Sequence, residues 1–163
     1  MHATPELHAS LSTLFGELID GPPADEAYML NAGDPGLLRS LEALSAEAAS
    51  RPAAPGAASI AAHVDHVCYG LELLNRWSGG EANPWATADW TASWRRTSVT
   101  EAEWDALRAQ LREHCRRWHA ALQTPRTLSR LELNGVISSI AHLAYHLGAI
   151  RQIDRSTGGP QAA

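Results

Sequence analysis

Cysteine is scarce in this chain: Cys68 and Cys115 are the two among 163 residues, and they form no CxxC pair. Two isolated thiols exclude a disulfide framework and fit a reducing compartment. Long apolar runs are missing too. No segment approaches the roughly 20 residues that cross a bilayer, so no membrane association is expected. The first ten residues, MHATPELHAS, lack the charged-then-apolar order of a secretory signal, and a soluble cytoplasmic protein is expected. Basic blocks are absent as well. Positive charge clusters only as short pairs such as Arg95, Arg96 and Arg116, Arg117, against a net charge of −5, which excludes nucleic acid as an expected partner. The length suits one domain with a full core and is too short to expect two.

What the chain does contain is helical periodicity. Its centre is Ile140 to Ile153, IAHLAYHLGAIRQI. Ile140, Leu143, Leu147 and Ile150 make one aliphatic stripe, while His142 and His146 share the neighbouring stripe with Gly135, Ser138, Ser139, Ala149 and Ile153. Residues four apart on a helix stand one above the other, roughly 6 Å apart at Cβ, so the two imidazoles can bind one metal ion together. Small neighbours leave room for a cavity beside them. The alternative is a hydrogen-bonded buried pair, which would have to satisfy four ring nitrogens in a low-dielectric interior.

A second helix, Ile60 to Trp77, carries the complementary signal. Ile60, Val64, Val67, Leu71, Leu74 and Trp77 form its apolar face, with Asp65, Glu72, Asn75 and Arg76 opposite. His63 falls at the centre of that face and His66 about 60° to its side, at 100° per residue. A histidine in the middle of a core face needs a buried partner. Gly70 lies two turns below His63 and again leaves space. Cys68 is about 140° from His63 on the same wheel and reads as a packing residue.

The remaining helices are read from capping and stripe patterns. Thr4-Pro5-Glu6 starts a first helix, with Leu7, Leu11, Leu14 and Leu18 as its stripe, ending at Asp20-Gly21-Pro22-Pro23; His8 on it reads as solvated. Asp34-Pro35 starts an extra short helix with Leu37, Leu38, Leu41, Leu44 and Ala48, which the Ala- and Pro-rich segment 51–58 interrupts, and Ser59 can cap the Ile60 helix. The long connection from Ser78-Gly79-Gly80 to Val99 holds Trp85, Trp90 and Trp94, which either cover a binding site or close one end of the core. Thr100 with Glu103 forms a capping box, and Val99 with Trp104 a hydrophobic staple. The seam Trp104, Leu107, Leu111, His114, Trp118, Ala121 makes His114 a hydrogen-bonded core histidine, with a fourth site residue as the alternative; His119 breaks the period and reads as exposed. The stretch 124–134, TPRTLSRLELN, has enough alternation for a short extended piece. The last helix then runs to Thr157, and residues 158–163 are expected to form a disordered tail.

Four long amphipathic helices without strand patterns indicate an all-α, four-helix bundle over residues 1–157, with the Trp-rich loop between its second and third helices. His63, His142 and His146 are the metal candidates, with His66 as the substitute for His63. Three histidine ligands leave a coordination position open, the arrangement of a catalytic ion; zinc, nickel and iron(II) all accept imidazole.

The runs SIAAHVDHVCYGLELLNRW and SSIAHLAYHLGAIRQI together resemble the DinB-like superfamily, the damage-inducible or YfiT-like group of four-helix bundle proteins, over roughly Ser10 to Ser156. Its pattern of one His on the second bundle helix and HxxxH on the last falls on His63, His142 and His146. The resemblance implies up-down-down-up topology, homodimers and a nickel- or zinc-type divalent ion. It further implies metal-dependent enzymes, among them thiol-cofactor-dependent transferases and isomerases and proposed hydrolases acting on small-molecule substrates.

Three functions are then compatible with the chain. The ion lowers the pKa of a low-molecular-weight thiol so that the thiolate attacks an electrophile, or it activates water as a hydrolase, or the bundle is a non-catalytic interaction module. Hydrolysis wants a general base near the water. Asp65 and Glu72 lie on the opposite face and Asp154 is three turns past His142, leaving Asp25, Glu26 or Asp34 as possible bases. Thiol transfer requires no carboxylate and is the preferred expectation.

Overall fold

The computed structural model describes residues 5–23 and 26–159. Six α-helices occur in order, α1 (Pro5–Asp20), α2 (Leu37–Glu42), α3 (Ala46–Ser50), α4 (Ile60–Ser78), α5 (Glu101–Gln123) and α6 (Arg130–Ile153), with short 3-10 turns at Ala92–Arg95 and Arg155–Thr157. No strand occurs among the described residues; Pro52 and Ser59 form an isolated bridge. The four long helices close a ring: α1 packs against α5 and α6, and α4 packs against the same two.

The helix starts reflect local chemistry. Ser59 accepts the Ala62 amide at 3.3 Å. At α5 the Thr100 amide donates to Glu103 Oε2 at 2.7 Å while the Glu103 amide returns to Thr100 Oγ1 at 3.3 Å, the capping box expected there. α6 holds a second capping box, Ser129 with Glu132. The extended piece expected over 124–134 is therefore helical from Arg130, because Ser129 satisfies the first amides and the apolar stripe already runs through Leu133. The extra helix after Pro35 divides into α2 and α3, since Ser45 caps a new turn by accepting the Ala48 amide. Thr4 and residues 160–163 lie outside the described residues. Gly158 and Gly159 pack so closely on Pro35 and Arg151 that a Cβ at either would come within 3.2 Å of those side chains.

The ring encloses Phe15, Leu18, Ile19, Trp104, Leu111, Trp118, Leu143 and Leu147, all essentially inaccessible. Burying each aliphatic side chain contributes about 1.5–3 kcal/mol before entropy is counted. The two core indoles satisfy their N–H groups, Trp104 to Leu44 O at 2.8 Å and Trp118 to Ser139 Oγ at 3.0 Å. Polar groups at the ends of the ring are tied similarly. Glu17 is buried and accepts the Tyr28, Met29 and Leu30 amides, the last at 2.7 Å.

Two histidines expected at the surface are structural. His8 is 4 % exposed, and its ring bonds Leu122 O at 3.4 Å and the Arg126 amide at 3.3 Å. His119 Nε2 lies 3.1 Å from Ser12 O. Both join α1 to α5, a contact between distant segments that the periodicity of either helix alone does not report.

Candidate metal centre

Packing of α4 on α6 brings four imidazoles together. His142 and His146 come from successive turns of α6, His63 and His66 from adjacent turns of α4. His142 Nε2 lies 3.2 Å from His66 Nε2 and 3.0 Å from His146 Nε2. One nitrogen from each of His66, His142 and His146 lies within 4.8 Å of the other two. His63 stands one ring further back, its Nδ1 2.8 Å from His146 Nδ1. The three-nitrogen group thus forms with His66 in the place expected for His63. Both α4 histidines reach α6, His63 at His146 Nδ1 and His66 at His142 Nε2, and it is the one 60° to the side of the apolar face's centre whose nitrogen joins the group. A signal for this was present: His66 and Gly70 are four apart, and Gly70 is the residue whose Cβ would meet His142 Cε1 at 3.9 Å.

Hydrogen bonding alone does not satisfy this group. A neutral imidazole nitrogen presents either one N–H or one lone pair in the ring plane, yet His142 Nε2 faces two other Nε2 atoms at bonding distance. Burial pushes the His63 and His142 pKa values down; burial, then the neighbouring His142 and His63, does the same for His66. His146 is pushed down to about 3, by burial first and then by the other three rings. All four are therefore neutral at pH 7, with lone pairs available. In addition His66 Nδ1 is buried without a partner among the described residues. Converging neutral nitrogens at 3.0–3.2 Å match neighbouring ligands of one ion with bonds of about 2.1 Å, so the donor set fits a divalent cation that accepts imidazole.

Aromatic rings roof the group. Trp94 stacks on His66 with centroids 4.5 Å apart and meets His63 edge-on at 5.4 Å, while Trp90 lies 5.8 Å from His66. The loop bearing them is fastened by the Asp89 amide to Tyr69 Oη at 3.1 Å and by Arg96 to Asp65 at 3.3 Å. Hydrogen bonds from Thr91 and Arg95 hold the Asp89 carboxyl down to about 2. Of the two sequence readings of these tryptophans, Trp90 and Trp94 fit the cover over the histidines, each about 40 % exposed.

A cavity of about 290 Å³ adjoins His142 and is lined by Gly70, Gly135, Ser138 and Ser139 together with apolar side chains. The small residues of the histidine stripes do border a cavity, except Ala149, which is not among its lining. Among the described residues no carboxylate lines it either. The candidate bases are engaged elsewhere. Asp34 pairs with Arg151 at 3.2 Å, Glu26 accepts from Tyr28 Oη at 3.1 Å, and Asp154 caps Ser156 at 2.9 Å. Asp25 lies outside the described residues. His114 is separate: Asn75 Nδ2 donates to its carbonyl at 3.1 Å and approaches its Nδ1 at 3.4 Å. It borders a different cavity with Asp65, Cys68 and Glu72. Burial pushes the Cys68 thiol up to about 12 and the Cys115 thiol up as well, so neither is a ready nucleophile.

No helix among the described residues is long and apolar enough to cross a membrane. No curated protein and no solved structure matches the chain. The family model described as the DinB superfamily matches residues 35–150, which spans α2 through the histidines of α6 and covers more than half of the sequence. The chain belongs to the DinB superfamily.

Proposed function

We propose that this protein is a divalent-metal-dependent enzyme in which His66, His142 and His146 hold the ion and a low-molecular-weight thiol is the co-substrate in a transferase-type reaction. The single observation that carries this reading is the convergence of three imidazole nitrogens on one point beside a cavity. Zinc, nickel or iron(II) suits the donors. When bound, the ion supplies a lowered thiol pKa, as metals do for thiols generally.

The chain's own residues then have defined tasks. The three imidazoles occupy one side of the site, leaving the cavity side open to thiol and substrate. Trp90 and Trp94 exclude water from the histidine side. The thiol releases its proton to solvent and the thiolate sulfur forms a bond to an electrophilic carbon; the leaving group departs with its electron pair, or the adjacent carbon of an activated double bond takes a proton back from solvent. None of this needs a carboxylate base, and among the described residues the cavity lining offers none. A metal-dependent hydrolase would want one, which is why transfer ranks above hydrolysis. The same reading takes residues 1–157 as one up-down-down-up four-helix bundle, cytoplasmic and homodimeric.

The test is elemental analysis of untagged protein beside a His66→Ala/His142→Ala/His146→Ala variant, then a screen of thiols against electrophiles. Near-stoichiometric ion in the parent, none in the variant and thiol consumption only by the parent support the proposal. A parent that takes up no divalent ion when supplied with it overturns the metal reading and leaves an interaction module. Ester hydrolysis without thiol, lost in His142→Ala, would put the hydrolase first.

A further inference from the structure

The cavity beside His142 does not end at its own walls. A second cavity, of about 790 Å³, shares Leu74, Trp85, Gly135 and Ser138 with it. Side by side they make a channel-like groove along α6 from His142 to Asn134, eight residues or about 12 Å of helix, that is open to solvent at its outer end, where Leu131 is 81 % exposed. Its charge is as informative as its shape. The chain carries 13 basic residues, yet none of them lines either cavity. Glu132 is the one charged residue at the outer end, and its carboxylate is engaged by the Ser129 amide at 2.7 Å in the capping box. The inner part is walled by leucine, tryptophan and glycine, while Asn83, Asn134 and Ser138 offer uncharged hydrogen-bonding groups towards the mouth.

In the inner part, against Leu71, Leu74 and Leu143, a carboxylate or phosphate would lose water and find no lining cation to replace it, whereas at the mouth the Arg126 guanidinium lies over Trp77, 5.3 Å from its ring centroid. A flat or extended apolar body would gain contact with Trp85 and Leu74. We infer that the channel binds an elongated, uncharged small molecule with an alkyl or aryl body. One end lies at His142 and a neutral polar group lies at Asn83 and Asn134. This names the substrate class for the reactive centre proposed above, and it rests on that reading for the statement that the inner end is where reaction occurs. Gly135 is the gate by which the class is tested: a Cβ there meets nothing within 4 Å, so a larger side chain would project into the shared section of the channel.

The experiment compares phenylbutanol with phenylbutanoate, two probes that share a hydrocarbon and differ in charge, by calorimetry and by amide and indole NMR shifts. It uses protein freed of divalent ions by chelator, because a bound ion would itself attract the carboxylate. The alcohol is expected to bind and to shift the Trp85 indole, the carboxylate to bind at least tenfold more weakly, and Gly135→Leu to weaken the alcohol at least tenfold while keeping its melting temperature. Gly70→Leu serves as a second block at the inner end. Equal or tighter binding of phenylbutanoate overturns the inference, as does binding of neither probe or full alcohol affinity in folded Gly135→Leu. Since the probes are read without metal, failure of the metal proposal leaves this result standing, and failure here leaves metal uptake untouched.

Discussion

His63 Nδ1 and His146 Nδ1 lie 2.8 Å apart across the α4–α6 interface. At that distance one nitrogen carries the proton and the other accepts it. With the proton on His146 Nδ1, its Nε2 keeps the lone pair that faces His142 and His66. On the metal reading proposed above, His63 then orients a ligand instead of being one, the task a carboxylate or carbonyl performs behind most metal-bound histidines.

His63→Ala is therefore expected to weaken metal binding by about 10–100-fold, the usual effect of losing an outer partner, while His142→Ala removes binding altogether. His63→Gln, whose carbonyl can accept the same proton, should recover part of the loss. Competition against a chromophoric chelator measures all three. A loss in His63→Ala as complete as in His142→Ala would instead make His63 a ligand.

An ion held by His66 on α4 and by His142 and His146 on α6 cross-links two helices, and a ligand bound only by the folded state stabilises it by mass action. Free ion at 100 times its dissociation constant should add about 2.7 kcal/mol. Chelator is expected to lower the melting temperature and the ion to restore it, with no such response in the triple histidine variant. An unchanged melting temperature after verified removal of metal would count against a bridging site.

The metal-free protein should also be sensitive to acid. The His146 pKa falls from 6.5 in the unfolded chain to about 3 in the fold. Below pH 6.5 the unfolded state takes up a proton that the folded state refuses, so stability present above 6.5 is lost progressively as pH falls towards 3. Thermal melts across that range should show the decline, and His146→Gln should flatten it. A parent and variant with parallel profiles would place the acid sensitivity in other groups.

Gly36 tests how α2 is docked. A Cβ on Gly36 would overlap the backbone nitrogens of Asp20 and Gly21 at the end of α1, neither of which is a movable side chain. Gly36→Ala is expected to cost about 1–3 kcal/mol as the backbones separate, visible as a fall in melting temperature of about 2–4 °C per kcal/mol. A neutral result would mean that the two segments are less closely apposed.

Among the described residues Asp34 and Arg151 form the most buried ion pair, with side chains 16 % and 7 % exposed. Asp34→Ala leaves the guanidinium with its bond to Pro35 O at 2.8 Å but no counter-charge, at a cost of about 3 kcal/mol. Chemical denaturation measures it. Retained stability together with lost thiol or ester turnover would reassign Asp34 to the chemistry.

Much of this was legible in the residues. The stripe of α6, the HxxxH pair within it, the capping boxes and the small residues beside the histidines are local patterns, and a helix displays them at fixed spacing whatever it packs against. That periodicity by itself determined the all-helical class, the metal-compatible pair His142 and His146, and the presence of a partner histidine on α4. It did not determine which one. Which of His63 and His66 brings a nitrogen close to both His142 and His146 depends on the direction from which α6 meets α4. The same holds for His8 and His119, whose partners are more than 100 residues away, and for the tryptophans, whose place over the imidazoles depends on where their loop is fastened. Only the tertiary structure decided these, because each is a relation between segments that no single helix encodes.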